Sequence, residues 1–66
     1  MKAEFTESEK EILNGKIRAL ARKYGVSHTY INQIVSGQIE LNSKLSLKIY
    51  DGIKDTIEFF TPKTIN

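Results

Sequence analysis

The sequence predicts an all-α fold, a small bundle of four to five helices. Three observations support this fold: apolar residues recur at helical spacing, capping residues precede these segments, and glycines follow them. The chain has 66 residues, and a domain of about that length buries only about 60% of the surface that its unfolded chain exposes. We therefore expect residues 1–66 to form a single domain with a small core.

The first helix is predicted by a capping box. Thr6 and Glu9 stand three residues apart, the spacing at which each side chain bonds the backbone N–H of the other residue. This pair predicts a helix over about Glu7–Leu13. Asn14-Gly15 then interrupts the helical pattern. Because the flanking residues do not alternate between apolar and polar, the dipeptide indicates a junction between two helices rather than a hairpin.

The second helix is expected to end, and the third to begin, within three residues. Gly25 is expected to end the second helix, because glycine adopts the left-handed backbone conformation without a Cβ clash. Ser27 is expected to cap a third helix over residues 28–36, which stops at Gly37. Apolar residues at i, i+3, i+4 spacing mark the buried faces of these two helices: Ile17, Leu20, Ala21 and Tyr24, then Ile31, Ile34 and Val35.

The fourth helix is expected to begin after a cap at Asn42 or Ser43. Because Gly52 lies within the segment, the sequence does not determine where this helix ends. A further short helix is expected over residues 56–60, before Pro62, which disfavours a helical conformation in the residue that precedes it. The predicted buried stripe of the fourth helix consists of Leu45, Ile49 and Ile53. Leu47 and Tyr50 are expected to lie beside this stripe.

Composition argues against several classes of function. The chain has no cysteine and one histidine, His28, which leaves no disulfide framework, thiol nucleophile or metal site to expect. It shows neither a serine beside a base nor a phosphate-binding glycine loop, so we expect no catalytic residues, no cofactor, no small-molecule substrate and no enzyme. No signal peptide or apolar run of about 18 residues is found, so we expect a cytoplasmic protein that does not bind a membrane.

Charge is distributed unevenly along the chain. No acidic residue lies between Ile12 and Ile39, whereas four basic residues do: Lys16, Arg18, Arg22 and Lys23. One interpretation is a solvated helix face that happens to be basic. The other is an electrostatic surface for a polyanion, which charge asymmetry along a chain favours.

The outer face of the third helix carries uncharged polar side chains. Residues 28, 29, 32, 33 and 36 form one stripe, opposite the predicted buried face. Asn32 and Gln33 can each donate and accept hydrogen bonds, as the edge of a base requires in the major groove, where adenine presents an acceptor and a donor together. A polar, uncharged stripe flanked by basic residues is therefore typical of base readout between two phosphate strands.

This segment resembles the helix-turn-helix of lambda-type phage repressors and Cro proteins, with their XRE-like relatives. The likeness rests on Leu20-Ala21, Gly25-Val26-Ser27, Ile31, Ile34 and Gly37, and it extends more loosely over residues 41–53. The resemblance implies a lambda repressor-like bundle of about five helices whose second motif helix, residues 28–36, enters the major groove. It also implies a Cro-like transcriptional repressor, encoded by a phage or bacterium, that binds a double-stranded DNA operator as a homodimer.

By position, the resemblance implies base contacts from four residues: His28, Thr29, Asn32 and Gln33. It implies phosphate contacts from Lys16, Ser36 and the backbone after Gly37. Ser27 and Tyr30 are further phosphate candidates; Tyr30 has the alternatives of a thymine methyl contact or packing on its own helix. The remaining basic candidates for phosphate contact are Arg18, Arg22 and Lys44. The chain departs from the family pattern at two positions, where Ile17 replaces a common glutamine and Val35 replaces an acidic residue.

Dimer formation is expected from size. A single unit of this kind buries only about 600–1,000 Å² of its own surface on DNA, so tight binding favours pairing. Residues 54–66 are expected to form a C-terminal tail or dimerisation segment, with contacts from Ile57, Phe59 and Phe60. Two rival functions stay open: a transposase- or recombinase-type DNA-binding domain, and a protein-interaction module of the antirepressor or antitoxin type.

Overall fold

The computed structural model describes residues 1–61, and this part of the chain forms an all-α bundle, which confirms the predicted fold class. Helix α1 packs on α4, α2 packs on α3, and α3 also contacts α4. The helices within residues 1–61 are α1 (Glu7–Leu13), α2 (Ile17–Tyr24), α3 (His28–Val35) and α4 (Lys44–Phe60).

The starts of three helices follow from side-chain caps. The Thr6 hydroxyl accepts a hydrogen bond from the Glu9 N–H at 3.1 Å, and the Glu9 carboxylate accepts from the Thr6 N–H at 2.8 Å. Ser27 Oγ accepts from the Tyr30 N–H at 3.1 Å. Ser43, rather than Asn42, caps α4, because its Oγ accepts from the backbone N–H three residues later. The capping predictions for α1 and α3 are thereby confirmed.

A compact reversal joins α2 to α3. Gly25 adopts φ 67° and ψ 33°, the left-handed conformation expected of a glycine after a helix. The next N–H, that of Val26, donates to the Ala21 carbonyl at 2.9 Å and so satisfies a free carbonyl at the helix end. Only residues 25–27 separate the two helices, which fixes how they pack on each other.

The apolar stripes predicted for α2 and α3 lie in the core. In α3, Ile31 and Ile34 are fully buried. Ile17, Tyr24 and Val26 are partly buried and pack against the same cluster. The buried apolar residues are Ala3, Leu13, Leu20, Ala21, Ile31, Ile34, Val35, Leu41, Ile49, Ile53 and Ile57.

The fourth helix is continuous through Gly52 and ends at Phe60, so the separate short helix expected over 56–60 is wrong. Gly52 is buried, and a Cβ added to it would lie 1.8 Å from the Tyr24 hydroxyl oxygen of α2. The glycine therefore marks a close approach of two helices, not a helix end. Residues 54–60, expected to belong to a tail, are the last turns of α4.

The buried stripe of α4 agrees with the predicted one at Ile49 and Ile53 and differs from it at the first position. Leu45 is 45% exposed, so its predicted burial is wrong, while the neighbouring Ser46 is buried. The Ser46 side chain turns back into the capping box with Ser43, with Oγ donating to the Ser43 carbonyl at 2.9 Å. From Ser46 the buried face continues at helical spacing through Ile49, Ile53 and Ile57.

The N-terminal segment closes the connection between α3 and α4. The Leu41 N–H donates to the Met1 carbonyl at 2.7 Å, and the Met1 ammonium pairs with the Glu40 carboxylate at 2.5 Å. The hydrogen bond and charge of this ammonium lower the pKa of Glu40. Both groups are exposed, and exposed ion pairs stabilise a fold little. The backbone hydrogen bond therefore does more to hold the segment in place.

Replacing Gly52 by Ala should destabilise the protein. Alanine favours a helix interior by about 1 kcal/mol over glycine, but the new methyl group overlaps the Tyr24 ring, and overpacking typically costs about 1–3 kcal/mol. We expect a net loss of up to about 2 kcal/mol in the free energy of unfolding, measured by urea denaturation followed by circular dichroism.

The control is the same substitution in a Tyr24→Leu background, where the aromatic ring is gone and Gly52→Ala should be neutral or stabilising. A higher urea midpoint for Gly52→Ala alone would show that the two helices do not meet at this point.

Candidate nucleic-acid interface

Helix α3 has one buried and one exposed face. The inner face is held by Ile31, Ile34 and Val35 in the core. On the outer face, Gln33 is half-buried and the other predicted base-contact residues are exposed. The structure brings all four onto the wall of one open depression, which is lined by Lys10, His28, Thr29, Asn32, Gln33, Val35, Ser36 and Gln38.

The polar groups on this face are available to a ligand. Among residues 1–61, no hydrogen bond engages the side chains of His28, Asn32 or Gln33. Asn32 contributes only its backbone carbonyl to the bond with Ser36. Both amides therefore keep their donors and acceptors, which a bidentate contact to a base requires.

The two serines at the ends of α3 are engaged in the helix itself. Ser27 Oγ caps the helix start. Ser36 Oγ donates to the Asn32 carbonyl at 2.8 Å, so its proton is already committed within the helix. A phosphate oxygen only accepts hydrogen bonds, so Ser36 can bind one only by giving up this intrahelical bond.

Three basic residues on the outer face of α2 are exposed: Arg18, Arg22 and Lys23. None of them pairs with a carboxylate within the described part of the chain. Arg18 lines a depression together with His28 and Asn32, so the basic face of α2 is continuous with the polar face of α3. The sequence placed these residues on two separate helices, and the short turn brings them together.

Lys16 differs from the other predicted phosphate contacts, because its ammonium is used inside the fold. Lys16 Nζ donates to the Ile12 carbonyl at 2.8 Å, at the end of α1. It also lies 4.4 Å from the centre of the Phe60 ring, a cation–π distance. These contacts join the α1–α2 junction to the end of α4.

Tyr30 and Lys44 complete the predicted phosphate set, and they lie in different settings. Tyr30 is half-buried and packs against the core cluster, whereas the sequence suggests packing on its own helix as one alternative. Lys44 is the exposed first residue of α4, beyond the connection that follows α3.

Helix α1 contributes residues beside α3 that sequence reasoning missed. Lys10 lines the same depression as His28 and Gln33. An adjoining depression places Glu7 and Glu11 beside Asn32. The i, i+3, i+4 spacing of these three α1 residues puts them on one face of the helix, but no pattern in the sequence indicates that this face adjoins α3.

The C-terminal aromatic residues are partly available to a partner. Ile57 is only 6% exposed and belongs to the core, so the prediction that it contributes to a dimer surface is wrong. Phe59 is 80% exposed and Phe60 is 51% exposed. Their rings meet edge to face with centres 5.0 Å apart, and the Lys16 ammonium lies over the Phe60 ring. The predicted segment also includes residues 62–66, which lie outside the described residues.

Two further expectations concern metals and membranes. Among residues 1–61, no group of three or more histidine, cysteine, aspartate or glutamate side chains is placed to hold a metal ion. No helix in this range has both the length and the apolar character needed to cross a bilayer.

The site consists of a polar α3 face, an adjoining basic α2 face and a mixed-charge flank from α1. Comparison of the chain with protein-family models, with curated proteins and with solved structures gives no significant match.

Proposed function

We propose that this protein binds double-stranded DNA through the outer face of α3 and acts as a small Cro-like transcriptional repressor. One observation carries the proposal: the unengaged amides of Asn32 and Gln33 share the exposed face of a helix whose opposite face is buried, and Asn32 lines one depression together with the unpaired Arg18. Amides that read bases, beside cations that bind phosphates, are the two components of a specific DNA contact.

The proposed docking places α3 in the major groove. That groove is about 12 Å wide and admits an α-helix, whose diameter with side chains is about 10–12 Å. Thr29, Asn32 and Gln33 then face base edges. Arg18 and Arg22 on α2 lie toward the phosphate strand, with Lys44 at the start of α4 as a third cation. This function implies a location with DNA, in the cytoplasm of a bacterial or phage-infected cell.

The integral fourth helix favours the repressor type over the transposase or recombinase type of domain. The latter domains tend to use three helices, whereas α4 supplies Ile49, Ile53 and Ile57 to the core here. Within the described part of the chain, the protein-interaction alternative is supported by the exposed Phe59 and Phe60 alone. The salt dependence of binding separates it from DNA binding, because a protein partner releases far fewer counterions than a duplex does.

Replacing Gln33 by Ala should weaken binding to the preferred duplex by about 1–3 kcal/mol, while binding to unrelated duplexes stays within about twofold. The reason is that the amide reads a base and leaves phosphates untouched. The measurement is fluorescence anisotropy with the duplex selected from a random pool and with a scrambled duplex.

Asn42→Ala removes an exposed amide from the α3–α4 connection and serves as the matched control. Equal binding of wild type and Gln33→Ala on every selected duplex would exclude this face as the reading surface.

Replacing Arg22 by Gln should weaken binding to all duplexes alike. Three neutralised phosphates per protomer predict a log–log salt slope of about −2.7, and the loss of one contact predicts about −1.8. Lys54→Gln makes the same charge change on α4, beside Asp51 and Asp55, and should leave the slope unchanged. Parallel slopes for wild type and Arg22→Gln would remove this residue from the phosphate set.

We also propose that the protein pairs as a homodimer on DNA through the C-terminal aromatic surface. Phe59 is the most exposed of the large apolar residues in the described part of the chain, and it stands next to the half-exposed Phe60. Exposed aromatic residues in a contiguous patch are typical of association sites. Two recognition helices about 34 Å apart then meet half-sites one turn apart on the operator.

Phe59→Ser should shift self-association toward the monomer by at least tenfold in the dissociation constant, because it removes the most exposed ring, with no loss of helix content. Sedimentation equilibrium measures this shift. Leu47→Ser, which changes another exposed apolar residue of α4, is the control. A wild-type chain that stays monomeric at high micromolar concentration and binds paired half-sites without cooperativity would refute the dimer.

A further inference from the structure

A depression rich in hydrogen-bond donors lies where α1, α2 and α3 meet. It is lined by Asn14 and Gly15 from the α1–α2 junction, by Ile17 and Arg18 from the first turn of α2, and by His28 and Asn32 from α3. No carboxylate is among these residues. A guanidinium, an imidazole and two amides at one place suit an anion with several acceptor oxygens, which is the chemistry of a phosphate group.

The charged groups around His28 are cations. Arg18 of α2 lines the depression described above. Lys10 of α1 lines the second depression that His28 enters. Two acidic residues, Glu7 and Glu11, line a third depression together with Asn32 but without His28. Helix α4 contributes no residue to either depression at His28.

A bound anion would favour a positive charge on His28, because an opposite charge within about 4–6 Å stabilises a protonated imidazole. A phosphate seated between Arg18 and His28 supplies that opposite charge. The imidazole then becomes a charged donor to the phosphate rather than a neutral contact to a base.

We propose that Arg18 and His28 together bind one backbone phosphate of the duplex, and that His28 takes up a proton when they do. This inference rests on the proposed DNA binding and changes one part of it, because His28 moves from the base-reading set to the phosphate set. Base readout is left to Thr29, Asn32 and Gln33.

Proton uptake gives the binding a defined pH dependence. An imidazole changes charge in the range between pH 5 and 8, so affinity for duplex rises as pH falls through that range. By thermodynamic reciprocity, bound duplex raises the pH at which the imidazole titrates. A rise of one pH unit at the midpoint corresponds to a tenfold change in affinity at most.

The test uses the one histidine of the chain, whose ring protons give an unambiguous NMR titration. We expect the titration midpoint to rise by about one pH unit when the selected duplex saturates the protein, and affinity to be about tenfold higher at pH 5.5 than at pH 8. Arg18→Gln should reduce the midpoint shift. His28→Gln, which keeps a donor but cannot be charged in this range, should abolish most of the pH dependence.

The outcomes separate the inference from the function on which it rests. A midpoint that does not move in the saturated complex, or an undiminished pH dependence in His28→Gln, overturns the inference and leaves DNA binding standing. Inorganic phosphate is the second ligand to be titrated, and a midpoint shift equal to that in duplex would assign the site to free phosphate and overturn the duplex assignment. Failure to bind any duplex at either pH refutes both proposals.

Discussion

The orientation of α3 about its own axis is the constraint on which the candidate site depends. Ile31 and Ile34 are fully buried against the rest of the bundle, and exposing such a side chain costs about 1.5–3 kcal/mol. A helix rotated enough to turn Asn32 inward would expose both isoleucines. In a domain this small, with a stability of only a few kcal/mol, that rotation is equivalent to unfolding. The outer face of α3 is therefore as well defined as its core.

Local chemistry made most helix boundaries predictable. The Thr6–Glu9 capping box, the Ser27 cap and the left-handed Gly25 each depend on residues within a few positions of one another, so the sequence alone identifies them. The course of α4 was not predictable in this way. Gly52 reads as a helix breaker until Tyr24, from another helix, is known to lie against it. The buried stripe begins at Ser46 rather than Leu45, because the hydrogen bonds of the Ser43 cap hold the Ser46 side chain against the helix start.

The same distinction holds for the candidate site. Helical periodicity alone is enough to predict the α3 stripe. The structure places its four predicted base-contact residues on one face, in agreement with that prediction. The residues that surround the stripe can be predicted only when the packing of whole helices is known. Lys10, Glu7 and Glu11 lie beside it because α1 crosses near α3, and no pattern within α1 reveals that neighbour. Ile57 likewise could be read as exposed or buried until the continuity of α4 was known.

The position of Lys16 has a consequence for how the edges of the domain lose order. One ammonium group contacts the last turn of α1 through the Ile12 carbonyl and the last residue of α4 through the Phe60 ring. Helix ends ordinarily fray independently of one another. Here the unwinding of α4 at Phe60 removes a contact from the start of α2. The α1–α2 junction and the end of α4, distant in sequence, therefore lose a shared contact when α4 unwinds at its last residue.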